Sequence, residues 1–218
     1  MKFDNDGWPT INDGHGPSAR APLPLGESQH KPEVFIDEFH GAALQAGWQW
    51  PQNNKPKVSV KQGGLNLTTA KDSAGDVLGA ILARSTISGT YTAETVVETA
   101  SVKAGESAGI AAIGDRENAT GLALSNGKLL LWRRDKGIRK PLVEIEAPKA
   151  ARLHLRLTAE EGHIFHFAAS VDGKKWTPVG VEQRGDQLPP WDRSIRVGLT
   201  VGGSQDTTVR FDWFRMGP

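Results

Sequence analysis

A turn signal separates two apolar runs in Gly121-Leu122-Ala123-Leu124-Ser125-Asn126-Gly127-Lys128-Leu129-Leu130-Leu131-Trp132. Asparagine and glycine both tolerate positive φ angles, which a two-residue type I′ turn requires, so this segment predicts a β-hairpin. Asp172-Gly173 predicts a second hairpin, because it separates the runs Phe165–Ser170 and Trp176–Val179. The chain is therefore expected to consist largely of antiparallel strands joined by short turns.

Similar β-type runs, separated by turn residues, extend on both sides of these hairpins. They are Val34–Phe39, Leu65–Thr69, Ala80–Ser85, Thr92–Ala100, Ala108–Ile113, Gly121–Ser125, Lys128–Trp132, Leu142–Glu146, Arg152–Thr158, Ile164–Ser170, Ile195–Val201 and Thr208–Met216. In one run, Leu153, Leu155 and Leu157 alternate with polar residues, so one face of that strand is apolar. Two such antiparallel sheets bury their apolar faces against each other, which predicts an all-β, two-sheet antiparallel β-sandwich.

Composition and charge exclude several classes of protein. The 26 Lys and Arg residues nearly balance the 25 Asp and Glu residues, so the net charge of +1 provides no field that would gather nucleic acid or an anionic membrane. The absence of cysteine excludes disulfides, thiol catalysis and Cys-ligated metals. No apolar run approaches the ~20 residues of a membrane span. We expect a soluble chain without a targeting signal, and its compartment stays open between cytoplasm, periplasm and exterior.

The first 33 residues differ from the rest of the chain. They are rich in glycine and proline, which interrupt regular structure, so residues 1–33 are expected to form an extended arm and residues 34–218 the sandwich. The arm nevertheless carries several large apolar side chains, which indicates that parts of it lie against a folded surface. These side chains are Phe3, Trp8, Ile11, Leu23 and Leu25.

Carboxylates that lie outside turns are candidates for binding a metal ion. They are Asp37 and Glu38, near the end of the first strong strand, and Asp212, within the last strand. The first and last strands of a sandwich often lie side by side, so these three side chains are expected to converge. Hard oxygen ligands suit Ca²⁺, which predicts a structural calcium ion that ties the two ends of the sandwich together. The simpler alternative is surface acids that face Arg210 or Arg215.

Other catalytic or metal-binding arrangements have less support. His154 and His166 would meet across a strand ladder, but no third ligand accompanies them, so outward-facing strand residues are the simpler interpretation. The sequence has no G-x-S-x-G elbow in a strand-turn-helix context, which argues against nucleophilic serine catalysis. Glycoside hydrolysis requires two carboxylates at a defined separation, and a sequence does not show that separation.

One tryptophan-rich segment combines two kinds of side chain that bind sugars. Indoles stack on the C–H faces of sugar rings, and amides bind the hydroxyl groups. The segment supplies both through Trp48, Gln49, Trp50, Gln52, Asn53 and Asn54. Trp48 and Trp50 lie two residues apart, so in an extended segment both would point the same way. An exposed platform and a buried pair both stay open.

The remaining tryptophans of the sandwich are assigned by their position relative to the strands. Trp132, Trp176 and Trp213 fall inside or beside predicted strands, and we expect them in the core, because burial is the common fate of tryptophan. Trp191 follows Pro189-Pro190 on a loop. Its role stays open.

Several segments that span nearly the whole chain carry a family resemblance. They are Asp6-Gly7-Trp8-Pro9-Thr10-Ile11-Asn12, Phe35-Ile36-Asp37-Glu38-Phe39, Trp48-Gln49-Trp50, Ser170-Val171-Asp172-Gly173-Lys174-Lys175-Trp176, Arg196-Val197-Gly198-Leu199 and Phe211-Asp212-Trp213-Phe214. In this order and spacing they resemble the C-terminal domain of glycoside hydrolase family 43 enzymes, the β-xylosidase and arabinofuranosidase group. The resemblance implies a concanavalin A-like, jelly-roll β-sandwich, which agrees with the strand pattern.

The resemblance also implies an accessory role. In this family a β-propeller carries the catalytic carboxylates, and no residue of this chain matches them. Asp6-Gly7-Trp8-Pro9 resembles the propeller's final strand, so the arm is interpreted as a remnant of that domain. The expected partner is therefore the catalytic propeller of an enzyme acting on plant-type xylose or arabinose saccharides. In xylosidase members a sandwich loop helps to close the propeller's pocket, and by position Trp48–Asn54 is the candidate.

Two other interpretations stay open. A free-standing carbohydrate-binding module would use the exposed indoles of the Trp48–Asn54 segment. A glycosidase or lyase on a concanavalin A-like fold predicts acids that alternate along one strand, and the sequence has no Glu-x-Asp-x-x-Glu run. Carbohydrate is an expected ligand, nucleic acid and membrane are not, and no cofactor is expected beyond the calcium ion.

Overall fold

The computed structural model describes residues 2–17, 33–51, 54–70, 78–86, 88–186, 188, 194–204 and 206–218. The chain divides into two compact units, residues 1–31 and residues 32–218. No helix in the described ranges is long and apolar enough to cross a membrane.

The first unit contains a small hairpin. Strand β1 (Lys2–Phe3) pairs with β2 (Pro9–Thr10), and a 3-10 turn follows at Asn12–Gly14. The Asp4 carboxylate accepts hydrogen bonds from the backbone N–H groups of Asp6 and Trp8, at 3.0 and 2.8 Å, and these bonds close the hairpin. Residues 2–17 therefore hold local structure where the sequence predicted an extended arm. Leu23 and Leu25 lie outside the described residues.

The second unit is built almost entirely from strands. They are β3 (Phe35–Asp37), β4 (Lys57–Val60), β5 (Leu65–Thr68), β6 (Ala80–Ser85), β7 (Tyr91–Glu98), β8 (Ser107–Ile113), β9 (Ala119–Ser125), β10 (Lys128–Asp135), β11 (Ile138–Glu146), β12 (Arg152–Glu160), β13 (Ile164–Ser170), β14 (Thr177–Pro178), β15 (Gln183–Arg184), β16 (Arg196–Gly202) and β17 (Thr208–Gly217). A 3-10 turn at Thr99–Ser101 follows β7. Each predicted run contains or overlaps one of these strands, and β14 lies in the run Trp176–Val179 and pairs with β13 as the second hairpin predicted. Strands β4 and β15 were not predicted.

These strands form two antiparallel sheets in the described part of the chain. One sheet has the order β11-β10-β9-β8-β16-β6, and we call it the six-stranded sheet. The other has the order β14-β13-β12-β7-β17-β5-β4, with β15 beside β13 and β3 beside β17, and we call it the nine-stranded sheet. Paired sheets of this kind confirm the predicted all-β, concanavalin A-like sandwich.

The core lies between the two sheets. Leu153, Leu155 and Leu157 of β12 are fully buried there, as the alternation predicted. They lie together with the leucines on either side of the Asn126-Gly127 turn, which are Leu122, Leu124, Leu129 and Leu131. Asn126 and Gly127 have φ angles of 51° and 73°, which confirms the type I′ hairpin.

Between β13 and β14, Asp172 Oδ1 accepts hydrogen bonds from the backbone N–H groups of Lys175 and Lys174, and these bonds lower the pKa of Asp172 to about 2.

The central strands of the six-stranded sheet are also buried on their outer face, whereas the edge strand β11 is exposed at every position but Val143. Every residue of β8 is buried, and a second apolar cluster on the outer face includes Ile81, Leu130 and the fully buried Trp132. Alanine and glycine occupy many outer positions of β8 and β9, so their alternation of apolar and polar residues is absent. The polar face of the sandwich is therefore the outer face of the nine-stranded sheet.

Candidate functional site

Trp48 lies in the core rather than on an exposed platform. Its ring stacks on Phe39 at 6.2 Å between centroids and meets Phe35 and Phe214 edge-on at 5.7 and 5.0 Å. Its indole Nε1 donates a hydrogen bond to Asp37 Oδ2 at 2.8 Å. Of the two outcomes that the sequence left open for Trp48, the structure shows packing.

The Asp37 carboxylate organises the chain that leads to Trp48. It is 3% exposed, and besides the indole it accepts the backbone N–H of Phe39 at 3.0 Å and that of Gln45 at 3.4 Å. Phe39 has a φ of 52°, a left-handed conformation that costs a bulky residue about 1–2 kcal/mol. The hydrogen bond from Phe39 and the burial of its ring offset that cost. Asp37 is therefore bound into the interior by three donors.

Gln49 joins this segment to the edge of the six-stranded sheet. Its backbone exchanges two hydrogen bonds with Ala83 of β6, at 2.8 and 2.9 Å. Its side chain accepts a bond from Arg196 and donates one to Ser85, which are register partners on β16 and β6. Residues 37–49 therefore connect the two sheets at one end of the sandwich.

Trp50 differs from Trp48 because it stays 40% exposed. Lys55 Nζ lies 5.1 Å from the centroid of its ring. The indole borders a shallow depression of about 640 Å³ between residues 42–48 and 55–61. Asn54 is buried, its N–H donating to the carbonyl of Pro51 at 3.1 Å, and Gln52 and Asn53 lie outside the described residues. The segment therefore offers one exposed indole.

The three carboxylates proposed for calcium occupy two different sides of the sheet. β3 does pair with β17, with Asp37 opposite Phe214, so the predicted pairing of the first and last strong strands is confirmed. Asp37 points into the core, whereas Glu38 contacts His40 at 3.1 Å and Asp212 contacts Arg152 at 2.8 Å on the outer face. In the described part of the chain, no three metal-binding side chains lie together. The calcium ion stays a prediction.

The two histidines proposed as metal ligands lie apart. His166 pairs with Thr158 in the ladder, four residues along β12 from His154. His166 faces Glu160 at 3.7 Å, and the His154 ring lies edge-on to the rings of Trp176 and Trp213, at 6.4 and 6.1 Å. The structure does not bring the two imidazoles together.

Sequence reasoning placed Trp176 and Trp213 in the core, and this prediction is wrong. Both lie partly exposed on the outer face of the nine-stranded sheet. β17 changes register against β7 between Phe211 and Phe214, so both phenylalanines point inward and the two residues between them point outward. A β-bulge of this kind re-aims side chains and interrupts simple alternation. In the sequence, the bulge is marked only by the spacing of Phe211 and Phe214, two apolar residues three positions apart.

The bulge creates a small cleft on the outer face, which we call the Trp213 cleft. It has a volume of about 240 Å³ and is lined by Glu38, His40, Gly63, Val96, Arg152, His154, Asp212 and Trp213. Asp212 and Arg152 form an ion pair at its edge. Burial lowers the pKa of His154, which favours the neutral form of its imidazole. The cleft combines an indole, an apolar floor and polar groups of both charges.

An ion-pair network around the buried Glu94 lies beside the cleft on the same outer face. Glu94 is 4% exposed, and its carboxylate contacts Arg156 at Oε1 and Arg215 at Oε2, the latter at 2.9 Å. The Arg156 guanidinium in turn lies 3.7 Å from the centre of the Trp176 ring, a cation–π contact. Trp176 contacts His154, and His154 contacts Trp213, so the network holds the Trp213 indole in place.

A protein-family model described as the β-xylosidase C-terminal concanavalin A-like domain matches residues 36–217. The chain belongs to this family. The resemblance read from the sequence is therefore confirmed. No curated protein matched the chain.

Solved structures place this family 43 domain within longer proteins. The family 43 protein BlXynB from Bacillus licheniformis is 25% identical with a TM-score of 0.76, and the match covers 99% of this chain and 45% of that one. The xylan β-1,4-xylosidase from Bacillus halodurans is 19% identical with a TM-score of 0.79, over 100% and 46%. The Bacteroides ovatus protein from a xyloglucan locus is 19% identical with a TM-score of 0.73, over 99% and 45%. The domain thus spans just under half of their length.

Replacement of the buried carboxylate tests its structural role. Asp37→Ala removes the acceptor for the Trp48 indole and leaves buried N–H groups without a partner, so the free energy of unfolding should fall by about 3 kcal/mol. Glu38→Ala is the matched control, since its exposed contact with His40 is worth less than about 0.5 kcal/mol. Chemical denaturation measures both values, and equal losses for the two variants would contradict the assignment.

Proposed function

We propose that the chain acts as the accessory C-terminal domain of a family 43 glycoside hydrolase and packs on a catalytic β-propeller. The supporting observation is the alignment itself: 99% of this chain corresponds to 45% of the Bacillus licheniformis protein. We further propose that the enzyme acts on xylose- or arabinose-containing saccharides, since the Bacillus halodurans relative is a xylan β-1,4-xylosidase.

The distribution of exposed apolar side chains supports a packing role. Phe3 and Trp8 of the hairpin are 67% and 72% exposed, and Trp50 of the sandwich is 40% exposed. Large exposed apolar side chains of this kind are typical of surfaces that a second protein body covers. In the Trp48–Asn54 segment, Trp48 is buried in the core and Gln49 is hydrogen-bonded to β6. Trp50 is therefore the residue of this segment that we propose contacts the propeller or a sugar in its pocket.

The alternative of an enzyme on this sandwich has little support from the carboxylates described above. Asp37 is buried under three N–H donors, Glu94 lies between two arginines, and Asp212 pairs with Arg152. A glycosidase needs one carboxylate as an acid and a second as a base or nucleophile, both facing the scissile bond. A carbohydrate-binding role is a separate candidate, and the Trp213 cleft favours it.

Reconstitution with a propeller tests the accessory role. The chain is produced together with a family 43 propeller domain of the same organism, and we expect the two to elute as one complex. Trp50→Ala should weaken this association about tenfold, or 1.4 kcal/mol, without changing the melting temperature of the chain. Val181→Ala, which alters an exposed apolar residue elsewhere, is the control and should bind normally.

Activity assays complete the same test. The chain alone should not turn over aryl β-xylosides or α-arabinofuranosides, whereas the complex should. Turnover by the isolated chain would overturn the accessory role, and the lack of any complex would overturn the packing role.

A further inference from the structure

The Trp213 cleft lies on the polar face of the sandwich, and nothing in the accessory role requires it. Its lining alternates between an apolar surface and groups that bind hydroxyls. Val96 forms part of the floor, the Trp213 indole forms a wall, and Arg152, Asp212 and His154 stand around them. We propose that this cleft binds a single uncharged sugar ring, at a chain end or a side branch of a saccharide.

The indole wall is held in position before any ligand arrives. The backbone carbonyl of Trp213 accepts a hydrogen bond from Thr95 Oγ1 at 2.7 Å. The His154 ring packs edge-on against Trp213 on one side and Trp176 on the other, and a Cβ atom at Gly173 would lie 3.0 Å from His154, so the turn at Asp172-Gly173 covers the imidazole closely. An aromatic ring that is fixed in this way loses little entropy on stacking with a sugar.

The polar groups of the cleft match a diol. Arg152 Nε contacts Asp212 Oδ2 at 2.8 Å, which orients Asp212 Oδ1 as a further acceptor and the Arg152 Nη groups as further donors. Glu38 contacts His40 Nδ1 through Oε2, so Glu38 Oε1 is a second acceptor on the opposite rim and His40 Nε2 is a further polar atom there. A vicinal diol both donates and accepts, so paired side chains of opposite charge satisfy it better than either charge alone.

Charge and size define the class of ligand. Each carboxylate of the cleft already faces a cationic or histidine side chain, so no excess positive charge is present to hold a phosphate, a sulfate or a uronic acid. The volume of about 240 Å³ lies below the roughly 300–1,000 Å³ of pockets for drug-sized molecules. One neutral pentose or hexose ring fits these limits, and the interior of a long chain does not.

Titration of the ¹⁵N-labelled 218-residue chain with methyl β-xyloside, methyl α-arabinofuranoside and methyl β-glucoside tests the proposal. The indole N–H signal of Trp213 should shift and saturate with a dissociation constant of roughly 1 mM for at least one of these glycosides, as expected for one ring with few hydrogen bonds. Methyl glucuronide should bind at least about tenfold more weakly, because the two carboxylates repel it.

Variants separate the cleft from other surfaces. Asp212→Asn keeps the shape of the side chain and should weaken binding about tenfold, and Trp213→Leu should abolish it. Trp50→Ala and Trp8→Ala remove exposed indoles elsewhere and should bind as the unaltered chain does. If Trp213→Leu fails to fold, Asp212→Asn still decides the question.

Three outcomes would overturn the proposal. They are the absence of any saturable shift with the three neutral glycosides, equal binding by Asp212→Asn and the unaltered chain, and shifts confined to Trp50. The last result would place sugar contact on the Trp48–Asn54 segment instead. None of these results depends on whether the chain associates with a propeller, so the two proposals fail independently.

Discussion

The hydrogen bond between the buried Asp37 carboxylate and the Trp48 indole is the contact on which one end of the sandwich depends. A carboxylate that is 3% exposed is tolerated only when donors surround it, and here an indole and two backbone N–H groups do so. Through them the last residues of β3 hold Trp48 between Phe35, Phe39 and Phe214. Gln49 then reaches β6, so a single buried anion couples the nine-stranded sheet to the six-stranded sheet.

The described tryptophans of the sandwich fall into two groups with different roles. Trp48 and Trp132 fill apolar clusters, whereas Trp50, Trp176 and Trp213 keep part of their surface on the outside. Two backbone features, rather than the tryptophans themselves, decide whether an indole is buried or exposed. A bulge turns Trp213 outward, and the bridge of Gln49 to β6 fixes Trp48 inward. The partly exposed indoles of the described sandwich therefore lie on the outer face of the nine-stranded sheet and at Trp50.

The architecture could be predicted because its determinants are local. Asn126-Gly127 defines a turn, the leucines of β12 define a face, and the order of the family segments defines the fold. The Trp213 cleft could not be predicted, because it depends on a bulge that slips the register between Phe211 and Phe214. The burial of Asp37 was missed for a similar reason. Its donors come from residues 39, 45 and 48, and only the folded chain brings their N–H groups to one carboxylate.

The central claim is that the Asp37 and Trp48 pair belongs to the interior, whereas Trp213 faces solvent. Hydrogen exchange of the two indole N–H groups, followed by NMR in the native chain, measures this difference directly. Exchange at Trp48 should require global unfolding and be as slow as that of the core amides of β12, and exchange at Trp213 should be fast. Comparable fast exchange at both indoles would contradict the account.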